Sequence, residues 1–65
     1  MKAIDRAIKA AGGLQGLAEK CGVRYQAIQK WRSGKVPAER VLQVERMTGI
    51  SRSSLRPDIY PRESA

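Results

Sequence analysis

The chain has 65 residues, which is enough for one small domain and excludes a second. Lysine and arginine number 13 against 6 acids, and the resulting charge of +7 favours a polyanionic partner, either nucleic acid or an anionic membrane surface. One cysteine and no histidine exclude a disulfide within the chain and argue against a metal cluster.

Two helices are predicted in the first third of the chain. In MKAIDRAIKAAGG the apolar residues recur at helical spacing, and the pair Gly12-Gly13 ends the helix. LQGLAEKC forms a second, short helix, and Gly22 after it permits a sharp turn. Cys21 falls on the inward side of this helix, which indicates a small buried hydrophobic residue rather than a reactive thiol.

The rest of the chain predicts two further helices and an irregular end. A third helix runs from about Arg24 to Arg32, and a fourth opens at Val36-Pro37 and stops at Gly49. Its apolar residues form a broad arc: Val41, Leu42, Val44 and Met47. A short helical turn around Ser53 to Leu55 precedes an extended tail. The predicted fold is therefore all-α, a compact bundle of four to five short helices, with one domain over 1–55 and an irregular tail over 56–65.

The second and third helices match the requirements of a helix-turn-helix unit, in which a short turn containing glycine joins two short helices. Ala18 is small enough for the helices to cross closely, and Gly22 occupies the turn four residues later. Val23, Ile28 and Trp31 would fill the space beneath, so Trp31 is expected in the core.

The third helix has two chemically different sides. Ala27, Ile28 and Trp31 share one side, at about 100° per residue. The opposite side carries what we call the α3 stripe: Gln26, Gln29, Lys30 and Ser33. A polar stripe is often no more than a solvated face. Here, however, five positive side chains and no acid occur from Lys20 to Lys35, which favours contact with nucleic acid.

The residue types of the α3 stripe suit the edges of DNA bases. Glutamine can form two hydrogen bonds with adenine, lysine can reach guanine O6 and N7, and an α-helix fits the major groove. The sequence therefore predicts a helix that contacts base edges, with Tyr25 and Arg32 flanking the stripe.

Nearly the whole chain resembles the Cro/CI-type phage repressors with a lambda-repressor-like helix-turn-helix, and especially their small YdaS-like and Cro-like relatives. The most specific segments are LAEKCGV, AIQKWRSG and LRPDIYP. The resemblance implies a bacterial or phage-encoded transcriptional regulator, a repressor that binds double-stranded operator DNA as a homodimer. In such proteins the start of the third helix contacts bases, which corresponds here to Tyr25, Gln26, Gln29 and Lys30.

Further residues are candidates for contact with DNA phosphates, which set position and affinity rather than sequence preference. They are Gln15, Arg24, Arg32, Ser33 and Lys35. Family members often carry glutamine at the first residue of the second helix, where it bonds a phosphate. Leu14 stands there in this chain, and Gln15 follows it.

Two arrangements are open for the apolar residues of the tail, Leu55, Ile59 and Tyr60. They either fold back onto the first or fourth helix or meet a second subunit in a dimer contact that Val44 and Met47 could join. An alternative function is an antitoxin that binds a toxin or another protein through this tail.

Other classes of function are not supported by the sequence. No nucleophile has a plausible base and no loop is suited to phosphate binding, so neither an enzyme nor a cofactor is expected. No apolar run approaches the roughly 20 residues of a membrane span, and no signal peptide is evident. The expected location is the cytoplasm, near the nucleoid, without a membrane partner.

Overall fold

The computed structural model describes residues 2–61, and this part of the chain forms five α-helices and no strand. They are α1 (Ala3–Ala10), α2 (Leu14–Cys21), α3 (Tyr25–Ser33), α4 (Ala38–Thr48) and α5 (Arg52–Leu55). The all-α prediction is confirmed. The third helix begins one residue later than predicted, because the backbone of Arg24 is extended and this residue occupies the N-cap position before α3. Over residues 2–61, no helix combines the length and the apolar character needed to cross a membrane.

The turn between α2 and α3 has the geometry that the glycine predicted. Gly22 adopts the left-handed conformation, with φ 69° and ψ 32°, which glycine reaches without a steric penalty. Its N–H donates to the carbonyl of Glu19, and the N–H of Val23 donates to that of Ala18 at 3.0 Å. These two bonds satisfy carbonyls at the end of α2 in a Schellman motif, which fixes the direction in which α3 departs.

A single core lies between the helices and receives residues from all five. Its largest fully buried side chains are Leu17, Ile28, Val36, Val41 and Val44. Ala18, Cys21 and Trp31 are buried among them, as predicted. Burial of each Leu, Ile or Val side chain stabilises the fold by about 1.5–3 kcal/mol, so one such residue accounts for a large share of the stability of a domain this small.

The apolar arc of α4 is narrower than predicted. Val41 and Val44 are fully buried, but Leu42 and Met47 are 41% and 42% exposed. Met47 follows Leu42 by five positions, which places them about 140° apart around the helix axis. Both cannot face the same core, and the side of α4 that faces it is occupied by Val41 and Val44.

The prediction of an extended tail is wrong for residues 56–60. The N–H groups of Ile59 and Tyr60 both donate to the carbonyl of Arg56, at 3.2 and 2.9 Å, and close a turn. Leu55 is buried and Tyr60 packs against the core, whereas Ile59 is exposed. The domain boundary at residue 55 stays a prediction, and residues 62–65 of the predicted tail lie outside the described part of the chain.

Candidate nucleic-acid interface

The outer side of α3 presents three polar side chains that no described residue covers. Gln26, Gln29 and Lys30 are exposed, while Ile28 and Trp31 on the opposite side are buried. Within residues 2–61, the side chains of these three form no hydrogen bond and no ion pair. Their donors and acceptors are therefore available to an external partner.

The two ends of α3 carry the remaining residues predicted to contact DNA on this helix. Tyr25 is exposed at the first residue, directly after the exposed Arg24. Ser33 is exposed at the last residue, and its hydroxyl donates to the carbonyl of Lys30 at 3.2 Å. The helix thus offers an aromatic ring at one end and a hydroxyl at the other, on either side of the two glutamines.

Arg32 is paired with an acid that is distant in sequence. Its Nε donates to Oδ1 of Asp5, on α1, at 3.0 Å, and Nζ of Lys2 approaches the carbonyl of Arg32 at 3.4 Å. The stretch from Lys20 to Lys35 contains no acid in sequence, but α1 brings one to its edge. The positive charge beside the α3 stripe is therefore partly compensated, which the sequence alone did not indicate.

Lys35 also approaches an acid, this time from the tail. Its Nζ lies 3.6 Å from Oδ2 of Asp58, and the side chain is exposed. The Arg56 guanidinium, more than Lys35, holds the pKa of the Asp58 carboxyl far below its usual range. Lys35 thus stands at the turn between α3 and α4 beside a carboxylate that stays ionised, with most of its surface open to a phosphate.

The structure separates Leu14 from Gln15 at the start of α2. Leu14 packs against the core, whereas Gln15 is exposed. Leu14, the first residue of α2, therefore serves packing. Of the two, Gln15 is the residue with a polar side chain in solvent.

Sequence reasoning missed Gly16, which sets how closely α2 approaches the end of α1. A Cβ at this position would lie 2.1 Å from the carbonyl oxygen of Ala11, a distance that no side chain tolerates. A glycine inside a short helix is costly unless packing requires it, and that cost was the signal available in the sequence. The close approach fixes α2, and α3 is positioned by the turn that follows.

Two side chains of α4 brace the end of α2. Arg40 and Gln43 donate to the carbonyl of Cys21 at 3.4 and 3.3 Å, and Arg40 also donates to the Gln43 amide oxygen. The Cys21 thiol is buried, and burial raises its pKa. Over residues 2–61, no group of three or more His, Cys, Asp or Glu side chains is placed to hold a metal ion.

The chain is similar to a bacterial protein family and to a phage protein. The family model described as "Bacterial toxin YdaS" matches residues 4–64. The gene 30 protein of Enterobacteria phage phi80 is 43% identical over 60 residues, which cover 88% of this chain and 82% of that protein.

Two solved structures are similar over 95% of this chain and 100% of their own. The Cro protein from the putative prophage element Xfaso 1 in Xylella fastidiosa strain Ann-1 is 45% identical, with a TM-score of 0.90. XPH1, a hybrid sequence of the Cro proteins Xfaso 1 and Pfl 6, is 41% identical, with a TM-score of 0.66.

Proposed function

The chain belongs to the YdaS family and has the fold of a prophage Cro protein, and on that premise we propose that it is a sequence-specific DNA-binding repressor. The observation that carries the proposal is the side of α3 on which Gln26, Gln29 and Lys30 are exposed and unpartnered among the described residues. The opposite side of the same helix is anchored in the core by Ile28 and Trp31. A rigid helix with its polar side outward is the arrangement that major-groove recognition needs.

The proposed base contacts follow from the donors and acceptors of these side chains. Gln26 and Gln29 each offer an amide that can bond adenine N6 and N7 together, and Lys30 offers three N–H donors to guanine. Tyr25, at the start of the helix, can touch a thymine methyl group or a sugar.

The proposed phosphate contacts surround this surface. Arg24 precedes α3, Lys35 follows it, and Gln15 lies in the first turn of α2. Arg32 and Ser33 stand at the far end of α3. Contacts of this kind release counterions, so affinity should fall with salt by a log–log slope of about 0.9 per phosphate neutralised.

The functional unit proposed on DNA is a homodimer in the bacterial cytoplasm. A single α3 contacts only a few base pairs, whereas two copies related by a two-fold axis place their helices about 34 Å apart, one turn of duplex. Such a pair would bind a palindromic operator.

A selection of binding sites from random duplex DNA tests the proposal. The wild-type protein should recover a palindrome, whereas Gln26→Ala and Gln29→Ala should each lose about 1–3 kcal/mol on it and relax the preference at defined positions. Gln15→Ala makes the same chemical change at a proposed phosphate contact and should weaken all sequences evenly. No enrichment with the wild-type protein, or unchanged profiles with both α3 variants, would contradict the proposal.

Membership of the family described as "Bacterial toxin YdaS" favours growth inhibition as a second candidate activity. If growth inhibition depends on DNA contact, expression of the wild-type chain should slow growth and expression of Gln29→Ala should not. Equal inhibition by both would assign the effect to another surface.

The antitoxin alternative needs an exposed anchor on the tail. Among the apolar residues of the described part of the tail, Ile59 provides one, because Leu55 is buried and Tyr60 packs on the core. Ile59→Asp is therefore a sharper test of binding to a partner protein than deletion of residues 56–65, which would also remove core contacts.

A further inference from the structure

The start of α1 and the last turn of α3 enclose a shallow depression at the edge of the proposed DNA-contacting surface. It is lined by Lys2, Asp5, Gln29, Arg32 and Ser33. Gln29 and Ser33 belong to the α3 stripe, so the depression adjoins the surface proposed to contact DNA. Asp5 is the acidic residue of this lining, whereas the basic and neutral polar side chains around it are of the kinds that contact a polyanion.

The contact between Asp5 and Arg32 uses only one edge of the guanidinium. The Asp5 carboxylate accepts from Nε at 3.0 Å, and neither Nη group of Arg32 bonds to another residue in the range 2–61. The Arg32 side chain is 51% exposed, against 29% for Asp5. The acid therefore lies deeper, and the two Nη groups remain free to donate outward.

We propose that Asp5 is a positioning residue that holds Arg32 for a DNA phosphate beside Gln29. An unrestrained arginine loses side-chain conformational entropy when it binds a phosphate. A carboxylate that already holds Nε orders the side chain in the free protein and so lowers the entropy cost of binding. The proposal rests on the DNA-binding function proposed above and adds a role for a residue of α1.

Whether DNA affinity rises or falls in a single Asp5 variant does not test this role. Asp5 is an acid near a polyanion, so its removal lowers repulsion while it also releases Arg32. These two effects oppose each other. A double-mutant cycle isolates the part of the effect that passes through Arg32.

The cycle compares the wild-type protein, Asp5→Ala, Arg32→Ala and the double variant on the selected operator over a series of KCl concentrations. Asp5→Asn keeps an oxygen that can accept from Nε, and Glu39→Ala, an exposed acid on α4, reports the effect of losing one negative charge elsewhere. In the protein with Arg32, Asp5→Ala should bind the operator at least about threefold more weakly than Glu39→Ala does. In the Arg32→Ala background, the added Asp5→Ala substitution should not weaken binding further. Asp5→Asn should restore part of the affinity that Asp5→Ala loses. The slope of log affinity against log salt concentration should become smaller for Asp5→Ala, as we also expect for Arg32→Ala.

Additive effects of the two substitutions, or binding by Asp5→Ala that matches Glu39→Ala, would overturn the positioning role while specific binding by the wild-type protein remained. A wild-type protein with no preferred sequence would instead overturn the proposed function itself. Circular dichroism melts of all six proteins show whether each remains folded at the assay temperature.

Discussion

The guanidinium of Arg56 and the carboxylate of Asp58 are joined by two parallel hydrogen bonds, Nε to Oδ1 at 2.9 Å and Nη2 to Oδ2 at 2.7 Å. The third edge of the guanidinium donates through Nη1 to the carbonyl of Val36 at 2.7 Å. Val36 is a buried residue of the turn between α3 and α4. One arginine thus ties the tail to the turn that carries Lys35.

Replacement of Arg56 should lower the melting temperature through loss of this tie. Arg56→Met keeps an unbranched side chain but no donor, and Arg56→Lys keeps the charge without the planar fork. We expect Arg56→Met to lower the melting temperature most, as measured by circular dichroism. The melting temperature of Arg56→Lys should lie between those of Arg56→Met and the wild type. Arg46→Met, at an exposed position of α4, is the control. Equal midpoints for Arg56→Met and Arg46→Met would contradict the assignment.

The same pair predicts how stability depends on acid pH. Hydrogen bonds from Arg56 hold the pKa of the Asp58 carboxyl far below its value in an unfolded chain, about 3.9. A lowered folded pKa stabilises the native state above the unfolded pKa, and that contribution is lost as the pH falls toward the folded value. The bonds that Arg52 donates lower the pKa of Glu45 as well and act in the same direction.

Asp58→Asn should therefore lower the melting midpoint at pH 7, and its difference from the wild type should shrink steadily below about pH 4. Melts between pH 2.5 and 7 measure this. Glu39→Gln, at an exposed position, should show no such convergence. A difference between Asp58→Asn and the wild type that stayed constant over this range would mean that Asp58 stabilises the fold by a means other than its charge.

The elements that local patterns specify were predictable from the sequence. Helical spacing of apolar residues and the terminal glycines gave the first four helices to within a few residues, and the small residue Ala18 and the turn residue Gly22 gave the helix-turn-helix unit. The exposed side of α3 followed from the angular positions of Gln26 and Gln29 relative to Trp31. These properties depend on residues close together in the chain.

The contacts that were missed join residues far apart in the chain. The bond of Arg32 to Asp5 spans 27 residues, and that of Gln43 to Cys21 spans 22. Nothing in the local pattern around an arginine identifies which distant acid folding will bring to it. In the tail, the turn over residues 56–60 is closed by local hydrogen bonds to the Arg56 carbonyl, but its attachment to Val36, 20 residues away, has no local signal.

Gly16 provides a test of helix packing, because replacing this glycine by alanine should lower stability instead of raising it. Replacement of glycine by alanine inside a helix normally stabilises it by about 0.5–1 kcal/mol. Here the added Cβ would lie 2.1 Å from the Ala11 carbonyl oxygen, so α2 must move away from α1. Gly16→Ala should destabilise the protein by about 1–3 kcal/mol in urea unfolding, as overpacked cores do. Gln15→Ala, on the exposed side of the same helix, should have little effect, and a stabilised Gly16→Ala protein would disprove the close packing.

The buried thiol of Cys21 reports on opening of the same region. The thiolate is the reactive form, and Cys21 is both buried and raised in pKa by that burial, so the native protein should react slowly with a disulfide reagent at pH 8. Where reaction requires the fold to open, its rate follows the population of open molecules, which rises about tenfold for each 1.4 kcal/mol of stability lost.

Gly16→Ala should therefore accelerate labelling of Cys21 by the factor that its change in unfolding free energy predicts, and Gln15→Ala should leave the rate unchanged. Absorbance of the released thiol follows the reaction, and a sample in denaturant gives the rate for the open chain. Fast labelling of the folded wild-type protein would show that the thiol is reached without opening. Labelling of Gly16→Ala at the wild-type rate would show that the contact between α1 and α2 does not control access to the core beneath α2.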